Sequence, residues 1–476
     1  MLFNSFVFLV FLLVVLPLFY VSGRQSRNVI LLIASYIFYG YWDWRFCGLL
    51  LLSTVVDYFI GMRLHEARTE SARKTYLLAS MVVNLGILGF FKYFNFFIDS
   101  FDALLSPLGM ELDFLHLHII LPVGISFYTF QTMSYTIDIY RREMEPTRNL
   151  VDFALFVSFF PQLVAGPIER ASNLLPQIAR GLNPTREQIR VGVNLIIMGM
   201  FKKVMLGDAT GRIVDHIFAQ PDYYSSIELL MGLVLFSIQI YADFSGYSAI
   251  ARGTSKLLGV ELMKNFEQPY LSSNITEFWR RWHISLSTWL KDYLYISLGG
   301  NRRGKVRTYI NLMLTMLLGG LWHGASWNFV IWGALHGIYL AVHKMMLGNR
   351  KVNDHYTYQG PASLGLYLAK VVGTYLLVLF AWLFFRAHTF GDAMAFFDGV
   401  LHWSSSPMDG RLVSITLAFA VLTVLIDAFQ YYFKDHTFLL RIQSLPVRWG
   451  VLSAMMLITM IYMFVEEPLP FVYFQF

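Results

Sequence analysis

The 476-residue chain is 56% hydrophobic and 17% aromatic, and only 14% of its residues are charged. Soluble globular domains carry about a quarter charged residues, so this composition excludes an ordinary water-exposed domain. The net charge of +6 is interpreted relative to a membrane rather than as a sign of nucleic-acid binding. The single cysteine, Cys47, excludes an internal disulfide and a multi-cysteine metal site.

Apolar runs of membrane-spanning length recur along the whole chain. About 17–25 apolar residues cross a hydrocarbon core as a helix, and these runs lack the period-two alternation of barrel strands. The first run has no basic region before it and no cleavage site after it, so it is predicted to be a retained helix rather than a signal peptide. We predict an all-α polytopic membrane protein with spans at 2–22, 29–44, 46–62, 76–92, 118–140, 191–206, 227–250, 308–322, 326–347, 364–385, 412–433 and 447–465.

Most of the lysines and arginines lie in alternate loops, and this bias predicts the orientation of the helices. The basic loops are 23–28, 63–75, 141–190, 251–307, 348–363 and 434–446. Basic loops face the cytoplasm, so both termini are predicted to be periplasmic and the number of spans even. Segment 151–168 is apolar but contains Pro161, Gly166 and Pro167, which is typical of a re-entrant hairpin buried in protein.

The sequence ITEFWRRWHISLSTWLKDYLYISLGGNRRGK, residues 275–305, is too regular to be a loose cytoplasmic loop. An apolar stripe of two tryptophans, a leucine and a tyrosine predicts a helix at the membrane boundary. A plain interfacial helix does not explain His283, which lies beside the apolar face. Arg280 and Arg281 lie off the stripe, and Arg302 and Arg303 follow in a glycine turn. These arginines could bind anionic phosphates, or they could be ordinary cytoplasmic positive charge.

Two histidines lie in the apolar sequence LLGGLWHGASWNFVIWGALHG, residues 317–337. An ionisable residue at membrane depth indicates a functional site, because its burial is costly. An imidazole with an ordinary pKa near 6.5 can act as a general base. His323 is followed by a glycine and preceded by two, which allows close approach of a ligand. We predict that His323 is functional, with a structural histidine as the alternative, and that His336 is a packing or supporting residue.

Other enzyme patterns are missing from the sequence. It has no Gly-x-Ser-x-Gly motif, no Walker phosphate-binding loop and no His-Glu-x-x-His zinc helix. His116 and His118 could touch a metal, but two histidines in an external loop are weak evidence, and no metal site is predicted. Aspartates also occur within the predicted spans. Of these, Asp243 could orient a histidine or pair with an arginine.

Four stretches together resemble one known family. They are LLGGLWHGASW, EFWRRWHISLSTWLKDYLYISLGGNRRG, LPVGISFYTFQTMSYTIDIYRR and FPQLVAGPIER. They resemble the membrane-bound O-acyltransferases, and most of all the bacterial branch that O-acetylates secreted polysaccharides such as alginate or cellulose. Transfer of D-alanine to teichoic acids is a more distant likeness. The resemblance covers residues 1–476, which predicts a single membrane domain with its motif-rich core at 118–340.

The resemblance implies a fold and a reaction. It implies a ring of about 11–12 tilted helices around a central tunnel, in the inner membrane of a bacterium and in contact with its lipids. It implies that His323 is the catalytic histidine of the family's Trp-His-Gly motif and that His283 is its second histidine. Acetyl-CoA would be the donor and an exopolysaccharide the acceptor, with periplasmic partner proteins and no permanently bound cofactor. The substrate-binding candidates are Trp322, Asn328, Trp282, Arg280, Arg281, Arg302 and Arg303, supported by His336 and Asp243.

Three alternatives remain at this point. A transporter for polysaccharide or lipid-linked sugar would use the histidines as a proton relay, but it predicts internal repeats that the sequence lacks. A structural subunit of a secretion complex predicts that the histidines can be replaced without loss of acetylation. Transfer of D-alanine to a cell-envelope polymer would keep the enzyme class and change the acyl group. The sequence does not determine the polymer, the immediate donor or the oligomeric state.

Overall fold

A computed structural model of the protein describes residues 1–109, 115–348, 360–402 and 409–474. Within these ranges the regular structure is helical and no strand occurs. The predicted loop at 348–363 falls mostly on residues 349–359, which lie outside the described residues, as do residues 475 and 476. The predicted all-α class is confirmed.

In the described ranges, seven helices are long and apolar enough to cross a membrane, and their apolar outer faces are typical of contact with lipid. They are Arg45–Glu66, Glu70–Leu108, Ser226–Leu257, Trp327–Leu347, Pro361–Arg386, Gly410–Phe433 and Leu445–Val465. The chain is therefore a multi-pass membrane protein. The five other predicted spans coincide with helices that are shorter or more polar, so the full number of crossings stays a prediction, as does the ring around a tunnel.

The chain divides into two compact units, and the first consists of Met1–Ile196 and Ile250–Met263. The prediction of one membrane domain over 1–476 stays a prediction. The helices of the first unit are Phe6–Val21, Arg24–Asp43, Arg45–Glu66, Glu70–Leu88, Phe94–Leu105, Ile125–Tyr140, Leu150–Ser158, Phe160–Leu163 and Ala171–Arg180, with the first part of Arg186–Phe201. A π-helical turn, Gly89–Tyr93, joins two of them.

A buried polar cluster ties three helices of this unit together. The carboxylate of Asp57 accepts hydrogen bonds from Ser80 Oγ at 2.7 Å and from Asn84 Nδ2 at 2.8 Å. Asn84 Oδ1 in turn accepts from the hydroxyls of Ser53 and Thr132. Each oxygen of the Asp57 carboxylate therefore accepts a hydrogen bond from the protein. A polar group in an apolar environment requires such partners.

The predicted re-entrant segment at 151–168 is a pair of short, buried helices. Leu150–Ser158 and Phe160–Leu163 are separated at Phe159, whose backbone has φ −50° and ψ 105°. Pro161 lies in the first turn of the second helix, where its missing N–H leaves no hydrogen bond unmade. The break therefore occurs where the sequence predicted it, and it is enclosed by protein.

The second unit consists of Ile197–Ala249 and Lys264–Phe476. Its helices are Ala209–Ala219, Ile275–Arg281, Ile284–Trp289, Lys305–His323, Trp327–Leu347, Pro361–Arg386, Phe390–Leu401, Gly410–Phe433 and Leu445–Val465, together with most of Ser226–Leu257. Two π-helical turns, Lys202–Asp208 and Leu290–Tyr295, also belong to it.

The Lys305–His323 and Trp327–Leu347 helices form a closely packed hairpin. A Cβ atom on Gly320 would lie 2.2 Å from the carbonyl oxygen of Phe329, and one on Gly333 would lie 2.3 Å from that of Met316. Small residues let two backbones approach in this way, and van der Waals packing is a main source of helix association in lipid. The glycines before His323 therefore serve helix packing, which positions the end of its helix.

The helix predicted for the ITEFWRRWH sequence differs from the structure in its continuity and in the burial of its apolar stripe. The chain is helical over Ile275–Arg281 and again over Ile284–Trp289, with a break at Trp282 and His283. The break is held by Asn265, whose carbonyl accepts from the Ile284 N–H and whose Oδ1 accepts from the Ser285 N–H. The apolar stripe is buried rather than interfacial, and it holds Trp282, Leu286, Trp289 and Tyr293.

Candidate active site

His323 is the last residue of the Lys305–His323 helix and is buried in a cage of aromatic rings. Gly324 follows in an extended conformation and ends the helix at this point. The centre of the imidazole lies 5.0 Å from that of Trp332, 5.2 Å from that of Tyr473 and 5.3 Å from that of Phe385. The structure thus places the predicted catalytic histidine in a buried, largely aromatic environment.

His283 lies in the same cage, with its ring centre 6.3 Å from that of His323. Its backbone has φ 42°, a left-handed conformation that is uncommon outside glycine and is typical of functional positions. The side chain is fully buried, and its ring meets Phe244 edge to face at 4.6 Å. In the described part of the chain, neither ring nitrogen of His283 has a hydrogen-bond partner. Both nitrogens are therefore free to meet a ligand.

Burial determines the charge of His283, which lies between the candidate spans. Desolvation lowers its pKa to about 3. The imidazole is then neutral over the physiological pH range, with one N–H donor and one bare nitrogen acceptor. A residue in this state can orient a hydroxyl or a carbonyl by hydrogen bonding, but it is a weak base.

His336 lies one ring away from His323 rather than beside it. Trp332 separates them, with its ring 5.0 Å from His323 and 4.7 Å from His336. The indole N–H of Trp279 donates to Nδ1 of His336 at 3.3 Å, so the proton of the neutral ring is on Nε2. His336 therefore packs against Trp332 in the wall of the cage, and its supporting role stays a prediction.

The three other predicted uncharged site residues are buried around the two histidines. The Trp322 ring lies 5.2 Å from His323 and 6.0 Å from His283. Trp282 packs on Trp382 at 5.0 Å and lies immediately before His283 in the chain. Asn328 uses its amide N–H to donate to the Ala387 carbonyl at 2.8 Å, which ties the start of its helix to the next one. Asn328 thus fixes the start of the Trp327–Leu347 helix, and its Oδ1 has no hydrogen-bond partner in the described ranges.

The four predicted arginines lie in different surroundings. Arg281 is buried in an ion pair with Glu277 at 2.6 Å, and its guanidinium also covers the Tyr431 ring. Arg280 is exposed, as are Arg302 and Arg303 in the turn before the Lys305–His323 helix. The rise of 1.5 Å per residue separates the two ends of that helix by about 27 Å. The basic turn and His323 therefore cannot contact the same small group.

Asp243 performs neither of the roles that the sequence suggested. Among the described residues its ion-pair partner is Lys203, at 2.6 Å, rather than an arginine or a histidine. Its second oxygen accepts from the Val472 backbone N–H at 2.6 Å. A carboxylate buried among apolar helices needs a cation and hydrogen bonds to offset the loss of water. Lys203 provides that cation, and it also pairs with Asp208.

Sequence reasoning missed several residues of the cage. Tyr473, Phe244, Phe385 and Trp332 are aromatic residues in a chain rich in aromatics, so nothing in their local sequence marks them. Asn265, which pins the break at His283, is also unmarked. Among the described residues, no group of three or more histidine, cysteine, aspartate or glutamate side chains could hold a metal ion.

A sequence model of the membrane-bound O-acyltransferase family matches residues 37–358, which include both cage histidines. The probable alginate O-acetylase of Azotobacter vinelandii is 44% identical over 90% of this chain and 84% of its own length. The peptidoglycan O-acetyltransferase of Helicobacter pylori is 36% identical over 80% of this chain and 75% of its own. The teichoic acid D-alanyltransferase of Streptococcus thermophilus is 28% identical over 48% of this chain and 58% of its own.

Proposed function

Because this chain belongs to the membrane-bound O-acyltransferase family, we propose that it carries acetyl from cytoplasmic acetyl-CoA toward a secreted polysaccharide. It is an O-acyltransferase embedded in a membrane. The acceptor that we propose is an exopolysaccharide such as alginate or cellulose, reached on the periplasmic side of the inner membrane. Both termini are proposed to be periplasmic, and periplasmic proteins are proposed to place the acetyl group on the polymer.

The observation that carries the proposal is the pair of buried imidazoles. His283 and His323 have ring centres 6.3 Å apart inside a cage of aromatic side chains. Acyl transfer to an alcohol needs a group to remove the hydroxyl proton and a donor for the oxygen that becomes negative. Exclusion of water protects the thioester from hydrolysis and strengthens hydrogen bonds to developing charge. We propose that the cage serves these three purposes, with His323 as the base and His283 as a hydrogen-bonding group.

The proposed step conserves atoms and charge. His323 takes the proton of the acceptor hydroxyl as the hydroxyl oxygen attacks the thioester carbonyl carbon. The π electron pair of the C=O bond moves to the carbonyl oxygen, and a C–O bond forms. When that pair returns, the C–S bond breaks with its electrons on sulfur, and the imidazolium of His323 returns the proton to the thiolate. The products are an acetyl ester and the free thiol of CoA. His283 positions the reacting groups.

We propose that the basic turn binds the far end of the donor. Arg302 and Arg303 are exposed at the start of the Lys305–His323 helix, about 27 Å from its other end. Coenzyme A is a long molecule with phosphates at one end and the thioester at the other. Arginine binds phosphates with two parallel hydrogen bonds, so this separation suits a donor that spans the length of the helix.

The test uses purified protein reconstituted in lipid vesicles with radiolabelled acetyl-CoA, the polymer as acceptor and a bacterial periplasmic extract that supplies the proposed partner proteins. We expect release of CoA thiol coupled to ester formation in the wild-type protein, and loss of both in His323→Ala. His402→Ala is the matched control, since His402 is exposed and its ring lies near Asp398 of its own helix. Wild-type protein that forms no acetyl ester with any tested polymer, or a His323→Ala variant that forms it normally, would contradict the proposal.

A further inference from the structure

A short segment of the second unit runs alongside the break at His283 in the opposite direction. The Glu267 N–H donates to the Arg281 carbonyl at 3.0 Å, before the break. After the break, the Ile284 N–H donates to the Asn265 carbonyl at 2.9 Å. His283 lies between these two backbone bonds in the chain. Asn265 is therefore fixed beside the segment that carries the histidine.

The side chain of Asn265 caps the helix that follows the histidine. The helix Ile284–Trp289 begins directly after His283, which makes no side-chain capping bond of its own. The first N–H groups of a helix need acceptors from outside it. The Ser285 N–H finds its acceptor in Asn265 Oδ1, at 3.2 Å. The oxygen end of this amide is therefore committed to the backbone beside His283.

The nitrogen end of the Asn265 amide has no hydrogen-bond partner in the part of the chain that the structure describes, although the residue is only 1% exposed. A backbone N–H can donate only to the oxygen of a side-chain amide, so the bond from Ser285 determines which end is nitrogen. A buried donor left unsatisfied is costly and rare in proteins. This nitrogen is therefore a place where a bound molecule can supply an acceptor.

The position of Asn265 matches a polar group of the proposed donor. Asn265 bonds the two residues that follow His283, so its bonds lie about 4–8 Å along the chain from the histidine. In acetyl-CoA, two methylene groups separate the thioester sulfur from the first amide of the pantetheine arm. An arm with its thioester at the imidazoles therefore carries an amide carbonyl at a comparable distance from them.

We propose that Asn265 is a donor-binding residue whose Nδ2 donates a hydrogen bond to the first amide carbonyl of the pantetheine arm. The inference rests on the function proposed above. The bond forms when the donor binds and persists during transfer, because the amide takes no part in the reaction. Through its two oxygens Asn265 also fixes the backbone at His283. One residue thus positions both the histidine and the thioester that reacts beside it.

The test compares three short acetyl thioesters in vesicles that contain the full-length protein, with the polymer and the periplasmic extract. S-Acetyl-N-acetylcysteamine has the first amide of the arm. S-(4-Oxopentyl) thioacetate keeps the carbonyl without the N–H, and S-pentyl thioacetate has neither. Since an unpaired buried amide is costly, we expect kcat/KM for ester formation to be about 10–100-fold lower with the pentyl thioester than with the other two. Equal values for all three, or an oxopentyl thioester as poor as the pentyl one, would overturn the proposal.

Asn265→Leu removes the amide and keeps its approximate volume. We expect the preference for thioesters with the carbonyl to fall below about twofold in this variant, because the unpaired donor is gone. A purely structural asparagine would lower kcat/KM equally for all three thioesters and leave the preference intact, which would contradict the proposal. If the leucine variant does not insert, Asn265→Ala replaces it, and the wild-type comparison stands by itself.

Asn311→Leu is the matched control. Asn311 is a buried asparagine of the same unit, but its Nδ2 donates to the carbonyls of Leu298 at 3.3 Å and Gly300 at 2.9 Å. Its substitution is expected to lower the thermal unfolding midpoint and to preserve the wild-type preference among the thioesters. Loss of the preference in this control as well would show that the preference does not depend on Asn265.

The outcomes separate the two proposals. If wild type forms acetyl ester from acetyl-CoA but shows no preference among the three thioesters, the role of Asn265 is wrong and the proposed function stands. If wild type forms no ester from acetyl-CoA, the proposed function fails, and the role of Asn265 fails with it. Ester formation with a preference that disappears only in the Asn265 variants supports both.

Discussion

Each unit contains a cluster of buried polar side chains. The polar groups of the first cluster form hydrogen bonds with one another, whereas several in the second have no partner in the described ranges. In the first unit, Asp57 accepts from Ser80 and Asn84, and Asn84 accepts from Ser53 and Thr132. These polar groups find their partners on neighbouring helices. In an apolar environment such a cluster holds helices together, and its carboxylate and amide groups already form hydrogen bonds within the protein.

The cage of the second unit leaves buried polar atoms without protein partners in the described ranges. They include both ring nitrogens of His283, the indole N–H of Trp332 and the hydroxyl of Tyr473. Both clusters are enclosed by apolar helices, so burial does not distinguish them. The two clusters differ in whether their polar atoms have hydrogen-bond partners within the described part of the protein. This difference supports the site proposed in the second cluster, and it predicts opposite effects of mutation.

The largest effect is expected in the cage. Replacing His323 by glutamine keeps a polar side chain but removes the proton acceptor, and loss of a general base lowers kcat by about 10²–10⁴-fold. The unfolding midpoint is expected to change little, because the helix ends at this residue through Gly324. Parallel measurements of kcat and thermal unfolding in detergent check the prediction. A folded His323→Gln variant with normal kcat would contradict the claim that the cage differs from the Asp57 cluster in serving the reaction.

The next effect concerns the hairpin that positions His323. A side chain on Gly320 would meet the Phe329 carbonyl oxygen, which is backbone and cannot move aside. Gly320→Val is therefore expected to destabilise the protein by about 3 kcal/mol and to lower kcat with it. Gly365→Val is the control, since a Cβ at Gly365 meets nothing within 4 Å. Equal stability of the two variants in thermal unfolding would show that the hairpin is looser than described.

A pH effect is expected from His283. Its pKa is about 3 in the folded protein and near 6.5 in the unfolded chain, so between these values only the unfolded chain binds the proton. Its contribution to stability is complete above pH 6.5 and is lost as the pH falls toward 3, by up to about 1.4 kcal/mol per pH unit. His283→Asn accepts the left-handed backbone and does not titrate. The unfolding midpoint between pH 7.5 and 5.5 should fall more in wild type than in this variant, and equal falls would contradict the prediction.

The smallest effect is expected at the satisfied cluster. Asp57→Asn replaces one carboxylate oxygen by an N–H₂ group, which then faces a donor from Ser80 or Asn84. Hydrogen bonds between membrane helices contribute about 0.6 kcal/mol on average, so a loss of this size in unfolding free energy is expected. The kcat per folded molecule should stay within about twofold of wild type. A large loss of kcat at normal stability would show that the Asp57 cluster serves the reaction.

A good part of the fold was predictable from the sequence, because the membrane restricts the choices. A long apolar run in lipid must satisfy its own backbone, so hydropathy alone indicated the helices and Pro161 indicated the break near it. The resemblance of short motifs to a family pointed to His323 and His283. Both signals are local, since each depends on neighbouring residues in the chain.

The composition of the cage was decided only by the tertiary structure. Tyr473 is 150 residues from His323 in the sequence, yet their ring centres are 5.2 Å apart. The break at His283 depends on Asn265, and the partner of Asp243 is Lys203 rather than a histidine. Contacts between distant residues form when helices pack. The packing depends on glycine spacing and on which charged side chains form ion pairs. Hydropathy indicates that a residue is buried, whereas only the packed helices determine which side chain it meets.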